Sequence, residues 1–254
     1  MRPTHLAVFG VLLMGTDACS GAAQPAAPRG PVARSALERA DERRRMVESQ
    51  IARPRDGRDP ITDARVIEAM LAVPRHAFVP AEVRDQAYDD TPLPIGHGQT
   101  ISQPYIVALM TEHLRLPPAG RVLEIGSGSG YQAAVLANLT PNVFTIEIVE
   151  ELARTARQRL EEQGYTRVQV RHGDGHLGWP EQAPFDAIIV TCAPDELPPP
   201  LWNQLKPGGR IVIPIGPVDR VQRLVVVSKT PDGQRRTDAI TDVRFVPMVR
   251  EPSS

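Results

Sequence analysis

Two carboxylates and three alternating glycines carry the most chemical information in this sequence. Glu124, Gly126, Gly128 and Gly130 lie in Val122-Leu123-Glu124-Ile125-Gly126-Ser127-Gly128-Ser129-Gly130, and Glu147 ends Val143-Phe144-Thr145-Ile146-Glu147. Alternating glycines let a backbone turn sharply and approach a ligand that any β-carbon would push away. The dinucleotide fingerprint spaces its glycines G-x-G-x-x-G, so that a helix N-terminus meets a pyrophosphate. Here the spacing is G-x-G-x-G, with an acid two residues before the first glycine. That carboxylate would repel a pyrophosphate and attract an amino-acid ammonium group, a combination that suits S-adenosylmethionine. Glu147 follows Gly130 by 17 residues, where a βαβ unit presents a carboxylate to ribose hydroxyls. Each such bond would contribute roughly 1.5 to 3 kcal/mol. A lone G-x-G-x-G is as often an ordinary loop; the strand before it, the helix after it and the second acid favour the nucleotide.

Other reactive side chains are few. Ser102 stands in the polar run Gly98-Gln99-Thr100-Ile101-Ser102-Gln103-Pro104, and its plainest role is to N-cap the helix that follows. His172 and His176 flank Gly173-Asp174-Gly175, but two glycines in five residues argue against the helix that would align an i, i+4 metal pair. No metal is expected. Cys19 and Cys192 are the only cysteines, so there is neither a disulfide framework nor a zinc spacing. Cys192 follows an apolar strand and reads as a small buried hydrophobe.

These residues need a scaffold, and from residue 121 onward strands and helices alternate. Strands are expected near 121–125, 142–147, 167–171, 186–191 and 210–215, and helices near 130–138, 149–163 and 196–205. Such alternation predicts a parallel sheet covered on both faces. Pro207-Gly208-Gly209 predicts a turn, and residues 223–228 and 239–246 predict two more strands joined through Pro231-Asp232-Gly233, a hairpin signal. Asp232 before Gly233 is also favourable for succinimide formation, because glycine does not hinder attack by its nitrogen. Upstream, residues 35–51 are charged and helix-prone, with Arg43, Arg44 and Arg45 on a solvated face. Thr62 is placed to N-cap a helix with Val66, Ile67, Met70 and Leu71 on one side, stopped by Pro74. Residues 75–101 read as irregular, and a helix opening at Ser102 carries an apolar stripe of Ile106, Leu109, Met110 and Leu114.

With 254 residues and a formal net charge of −1, the chain can bury a substantial core and offers no global basic field for nucleic acid. Three stretches are expected: a signal-like or disordered extension over 1–35, a helical substrate-side segment over 36–118, and a cofactor-binding core over 119–254. The last two are expected to form one compact domain. In the first stretch, Arg2, an apolar run over 6–14 and Cys19 resemble a short signal peptide, too short to span a bilayer. Export or lipid anchoring is the alternative to a cytoplasmic protein, against which stands the cytosolic supply of S-adenosylmethionine. An upstream start assigned in error, with Met46 as the true start, is the simpler reading.

The chain resembles the protein-L-isoaspartate O-methyltransferase family, which methylates abnormal isoaspartyl carboxyls in damaged proteins. The resemblance rests on Ala72-Val73-Pro74-Arg75-His76-Ala77-Phe78-Val79, Leu93-Pro94-Ile95-Gly96, the Gly98 to Pro104 run, the glycine turn through Tyr131, His172-Gly173-Asp174-Gly175, Phe185-Asp186-Ala187-Ile188-Ile189-Val190-Thr191 and Val243-Arg244-Phe245-Val246-Pro247. It spans about residues 40–250. Thr-Ile-Ser-Gln-Pro is its most diagnostic part, because general methyltransferases lack it.

The resemblance implies an α/β, Rossmann-like class I S-adenosylmethionine-dependent methyltransferase fold. About seven strands are expected, mostly parallel, with a C-terminal antiparallel hairpin and an N-terminal helical segment. It implies Ser102 as the active-site serine, and Thr100 and Ile101 as cofactor-pocket walls. Glu124, Gly126, Ser127, Gly128 and Gly130 would hold the amino-acid end of S-adenosylmethionine, Glu147 the ribose, and Asp174 with Gly175 the adenine. Expected partners are damaged proteins and peptides containing isoaspartate, with no nucleic acid, and a monomer is expected. Amino-group methyltransferases carry an Asn/Asp-Pro-Pro-aromatic turn where this chain has Thr191-Cys192-Ala193-Pro194, which disfavours nitrogen as the acceptor. A non-catalytic cofactor-binding protein would not need the intact Ser102 segment.

Overall fold

A computed structural model of the chain describes residues 38–217 and 219–250. The signal-like stretch over 1–35 lies outside the described residues. In chain order the elements are α1 (Ala40–Met46), continued by a π-helical turn over Val47–Ala52, then α2 (Ala64–Ala72), β1 (Leu93–Gly96), β2 (Gln99–Ile101) and α3 (Pro104–Leu114). After these come β3 (Arg121–Ile125), α4 (Tyr131–Ala137), β4 (Asn142–Glu147), α5 (Glu150–Glu162), β5 (Gln169–His172) and β6 (Phe185–Val190). The chain ends with α6 (Pro199–Asn203), β7 (Leu205–Ile215), β8 (Gln222–Lys229) and β9 (Arg235–Val243).

Seven strands form the main sheet in the order β5-β4-β3-β6-β7-β8-β9, and β1 pairs with β2 in a separate two-stranded sheet. Strands β3 to β7 run parallel, whereas β7 with β8 and β8 with β9 are antiparallel. Strand order reverses at β3, which lies between β4 and β6, and ligands of open α/β sheets bind at the carboxyl ends of such a switch point.

Period-two alternation divides the sheet residues between two cores. In β6, Ala187 and Ile189 join one cluster while Ile188 and Val190 join the other; in β8, Leu224 and Val226 oppose Val225 and Val227. The first core takes in Met46, Ile51, Val66, Met70 and Phe78 together with Tyr131 and Val135 of α4, so the N-terminal segment and the cofactor-side helices bury against each other. Each fully buried Leu, Ile or Phe there contributes roughly 1.5 to 3 kcal/mol by leaving water. On α5, Leu152, Ala153, Ala156 and Leu160 are buried, and Glu150 and Glu151 stand in the first turn, where acids favour the helix dipole.

Several local expectations are corrected. Asp63, not Thr62, caps α2, accepting from Arg65 N at 2.9 Å; Thr62 N instead donates to Glu112 Oε1 at 2.6 Å. Gln103 is the N-cap residue of α3 and Pro104 its first residue, so Ser102 does not cap the helix. Residues 75–101 contain short 3-10 stretches and the β1–β2 hairpin, hidden in the sequence by Pro92 and Pro94. Gly96, His97 and Gly98 all have positive φ, which makes that turn possible. Helix α6 is confined to five residues by Pro198, Pro199 and Pro200, and the Pro207-Gly208-Gly209 turn is absorbed into β7 as an irregularity in its pairing. Strand β9 ends at Val243, earlier than expected. Arg43 is buried rather than solvated, and donates to Leu71 O at 2.6 Å.

Candidate active site

The glycine turn joins the carboxyl ends of β3 and β4. Gly126 N and Ser127 N both donate to Ile146 O, at 2.8 and 3.2 Å, and Gly130 N donates to Ser127 O at 2.8 Å. Gly126 has φ 95°, and a Cβ there would lie 2.5 Å from Thr191 Oγ1, so the position admits glycine alone. Glu147 closes the turn from the next strand: Oε2 accepts from Gly128 N at 2.8 Å and Oε1 from Val149 N at 3.0 Å. Ser127 Oγ and Thr145 Oγ1 share a 2.6 Å hydrogen bond beneath it.

Glu124 is the electrostatic anomaly of the site. It is 0% exposed, and both carboxyl oxygens lack a hydrogen-bond partner. Burial pushes its pKa up to about 8; the nearby Thr145 hydroxyl pulls it back in part, and the Glu147 charge adds to the rise. A buried carboxyl with unmet hydrogen-bonding capacity beside a void is suited to an incoming cation.

Three cavities open here. A cleft is walled by the glycine turn, Glu147, Gly175, Cys192 and residues 246–249. A small inner chamber reaches Glu124, Ser127, Gly128 and Ser102, and a wider outer groove runs past Ser102, Gln103, Ile106 and Arg244. Thr100 and Thr191 line all three. Because the three spaces share these threonines, a ligand in the cleft and a second molecule in the groove would meet there. Ile101 is buried on the wall of the inner chamber, and the half-buried Ser102 follows it. Among the described residues the Ser102 hydroxyl has no hydrogen-bond partner.

The structure thus brings Thr100, Ile101, Ser102, Glu124, Gly126, Ser127, Gly128, Glu147 and Gly175 to one connected space. Gly130 lies one step behind, at the N-terminus of α4 with φ 89°, packed on Leu160. Asp174 is not on the cavity wall: its Oδ1 accepts from His176 N at 2.8 Å and meets His176 Nδ1 at 3.0 Å, capping a short 3-10 turn. That turn holds Gly175 tight against Ile125. His172 Nε2 lies 3.1 Å from Ile148 O. Cys192 is half-buried, packs on the second core and lines the cleft; burial and the Glu147 charge keep its thiol protonated by raising its pKa.

Sequence reasoning missed one contributor. Thr191 follows β6, whose neighbour β3 leads into the glycine turn, and its hydroxyl donates to the carbonyls of Ile125 and Gly126 at 2.9 and 2.7 Å. Its position at the end of the strand beside the switch point was the available signal. Residues 246–249 complete the wall: Ala193 N donates to Val246 O at 2.8 Å and Met248 N to Ala193 O at 2.9 Å. Phe245 N also donates to Gln222 Oε1 at 2.9 Å. These bonds draw the chain off the sheet after Val243 and across the cleft.

An unpartnered buried carboxyl, a turn without room for side chains and a strand-end carboxylate together fit S-adenosylmethionine. Fold and site define an S-adenosylmethionine-dependent methyltransferase. The family model for protein-L-isoaspartate(D-aspartate) O-methyltransferase matches residues 48–253. The chain belongs to that family. It is 57% identical over 221 residues to the protein-L-isoaspartate O-methyltransferase of Opitutus terrae, covering 86% of this chain and 92% of that one. It is 53% identical over 245 residues to protein-L-isoaspartate O-methyltransferase 2 of an Anaeromyxobacter species, covering 96% of each. Among solved structures, a protein-L-isoaspartate O-methyltransferase superposes with TM-score 0.68 at 32% identity, over 74% of this chain and 61% of that one. A Plasmodium falciparum structure described as a member of the same family, in complex with S-adenosyl-L-homocysteine, superposes with TM-score 0.66 at 28% identity. That match covers 75% of this chain and 93% of the other.

Proposed function

We propose that this chain methylates the free carboxyl of L-isoaspartyl residues in damaged proteins and peptides at the junction walled by Thr100 and Thr191. The observation that carries this reading is the unpartnered Ser102 hydroxyl, which borders both the inner chamber and the outer groove. S-adenosylmethionine supplies a methyl group already activated by its sulfonium charge.

The residues divide the remaining work. Glu124 and the turn at 126–130 bind the amino-acid end of the cofactor, with Ser127 shaping the turn. Glu147 addresses the ribose with the lone pairs that Gly128 and Val149 leave free. Gly175 walls the adenine, and Asp174 Oδ1 holds the turn that places it. Thr100 and Ile101 flank the transfer point. Ser102 donates a hydrogen bond to the substrate carboxylate and aims one oxygen at the methyl carbon. That carboxylate is ionised at neutral pH, so no strong general base is required. Orientation supplies up to roughly 7 to 11 kcal/mol in favourable intramolecular cases. Residues 246–249 exclude water that would otherwise shield both charges. The methyl ester then closes to a succinimide in solution, with loss of methanol, and hydrolysis returns part of it to normal aspartate.

Labelled methyl transfer to a peptide with one isoaspartate, beside the same peptide with normal aspartate, tests this reading. Base-labile label on the isoaspartyl peptide alone is expected. Transfer to neither, with cofactor binding intact, would overturn it.

The same reading makes residues 36–254 one compact unit, monomeric and cytoplasmic. The shared first core supports the single unit. Charged Arg235, Arg236, Asp238 and Asp242 on the edge strand β9 oppose pairing with a second sheet. Cytosolic supply of the cofactor supports the location; among the described residues no helix is long and apolar enough to cross a membrane. Light scattering that shows a dimer, or fractionation that finds a processed chain outside the cytoplasm, would remove the respective statement.

A further inference from the structure

Helix α3 begins two residues after Ser102, yet its first turn receives no capping bond from its own N-cap side chain, Gln103. The missing acceptor comes from a distant loop. Asp90 Oδ1 accepts from Tyr105 N at 3.2 Å, while Oδ2 accepts from Gln103 Nε2 at 2.9 Å. Thus one carboxylate grips both residues that flank Pro104, within three positions of the serine.

One arginine holds that carboxylate and a second holds its loop. Arg58 pairs with Asp90 at 2.6 Å and with Asp56 at 2.6 Å, and its guanidinium lies 4.1 Å from the centre of the Tyr105 ring. Arg75, fully buried, donates from Nε to Ala87 O at 2.8 Å and from Nη2 to Thr91 O at 3.4 Å, so it braces the loop on both sides of Asp90. Its guanidinium also lies 5.1 Å from the centre of the Tyr131 ring, and Tyr131 directly follows the glycine turn. The 87–91 loop is therefore strung between the cofactor turn, through Arg75 and Tyr131, and the serine segment, through Asp90. Asp90 lines none of the three cavities that meet at Thr100 and Thr191.

We infer that Asp90 is a positioning residue for methyl transfer: by capping α3 and tethering Gln103 it sets the direction of the Ser102 hydroxyl. This rests on the role given to Ser102 above. It follows that Asp90 acts on turnover only through the serine. It also follows that the two halves of the site are joined by a loop that touches neither ligand.

A double-mutant cycle of Asp90→Ala with Ser102→Ala tests the inference. Methyl transfer would be read at saturating cofactor, and S-adenosylhomocysteine affinity by calorimetry. Asp90→Ala alone is expected to lower kcat about 10- to 100-fold, the loss that follows from displacing a reacting group by about 1 Å. In the Ser102→Ala background the same change is expected to alter kcat by no more than about twofold, and homocysteine-product affinity is expected to hold within the same factor in both. Asp90→Asn serves where the alanine variant does not fold: it keeps one acceptor for Tyr105 N, turns an N–H towards donors, and is expected to show the same dependence on Ser102. Equal fractional losses with and without the serine, or wild-type kcat in the Asp90 variants, would overturn the inference and leave the serine assignment standing. Wild-type kcat in Ser102→Ala would instead overturn the serine assignment, and the positioning role with it.

Discussion

The cofactor half and the substrate half of the site are built in opposite ways. Glu124, the glycine turn and Glu147 come from one strand-turn-helix-strand unit, in which backbone N–H groups of the turn donate to Ile146 O and to the Glu147 carboxylate at the adjacent strand end. The substrate half joins Thr100 and Ser102 from a hairpin and its exit, Thr191 from the far side of the switch point, and residues 244–246 from beyond β9. Its alignment depends on side chains such as Asp90, Arg58 and Gln222 that reach across the sequence. A ligand shared by many enzymes is held by geometry that one βαβ unit supplies. On the function proposed above, the acceptor that distinguishes this family would be held by geometry that only the assembled fold supplies.

The sharpest way to break this contrast is Ser102→Ala, which is expected to lower kcat about 100- to 1,000-fold while S-adenosylhomocysteine affinity barely moves. A large loss of cofactor affinity instead would show that the serine belongs to the cofactor half. Glu124→Gln is expected to do the reverse, weakening cofactor binding by about 10- to 100-fold, the equivalent of roughly 1.5 to 3 kcal/mol. Its effect on the cofactor-free protein has the opposite sign. In the unfolded chain this carboxyl loses its proton near 4.5 and in the folded chain only near about 8, so between those values the unfolded state binds fewer protons. Stability therefore falls as pH rises through that window, at up to about 1.4 kcal/mol per pH unit from this group. Glu124→Gln is expected to flatten that slope and to raise the melting temperature most near pH 8. A variant whose melting follows the wild type from acid to alkaline pH would remove the neutral carboxyl.

The smallest effect asks whether the substrate half accepts the chain's own hairpin. Asp232 and Gly233 lie in the exposed turn between β8 and β9, with Gly233 at φ 84° and its N–H donated to Thr230 O at 2.8 Å. That bond holds the nitrogen which must attack the aspartyl carboxyl. Isoaspartate is therefore expected to accumulate at Asp232 on ageing more slowly than in a free Asp-Gly peptide, and to decline on incubation with S-adenosylmethionine. Peptide mapping that finds only normal aspartate after prolonged ageing would exclude it.

Much of this protein follows from local sequence alone. Val122, Leu123 and Ile125 alternate across two cores, and Gly126 tolerates no side chain. The two acids stand where neighbouring parallel strands end, so the cofactor turn and the alternation of strands and helices around it can be read from residue types and spacing. The motif match carried Ser102, Thr100 and Ile101, although nothing in their local pattern distinguishes a catalytic serine from a helix cap. What only the tertiary structure decided concerns contacts between distant segments. Thr191 lies against Gly126, Asp174 turns to His176 and not to the cavity, Arg43 is buried, and residues 246–249 leave the sheet for Ala193. The physical reason is the range of the forces involved. Strand alternation and glycine φ angles act within a few residues of the chain. Burial, capping by a remote carboxylate and pairing with a distant carbonyl depend on which segments the fold brings together.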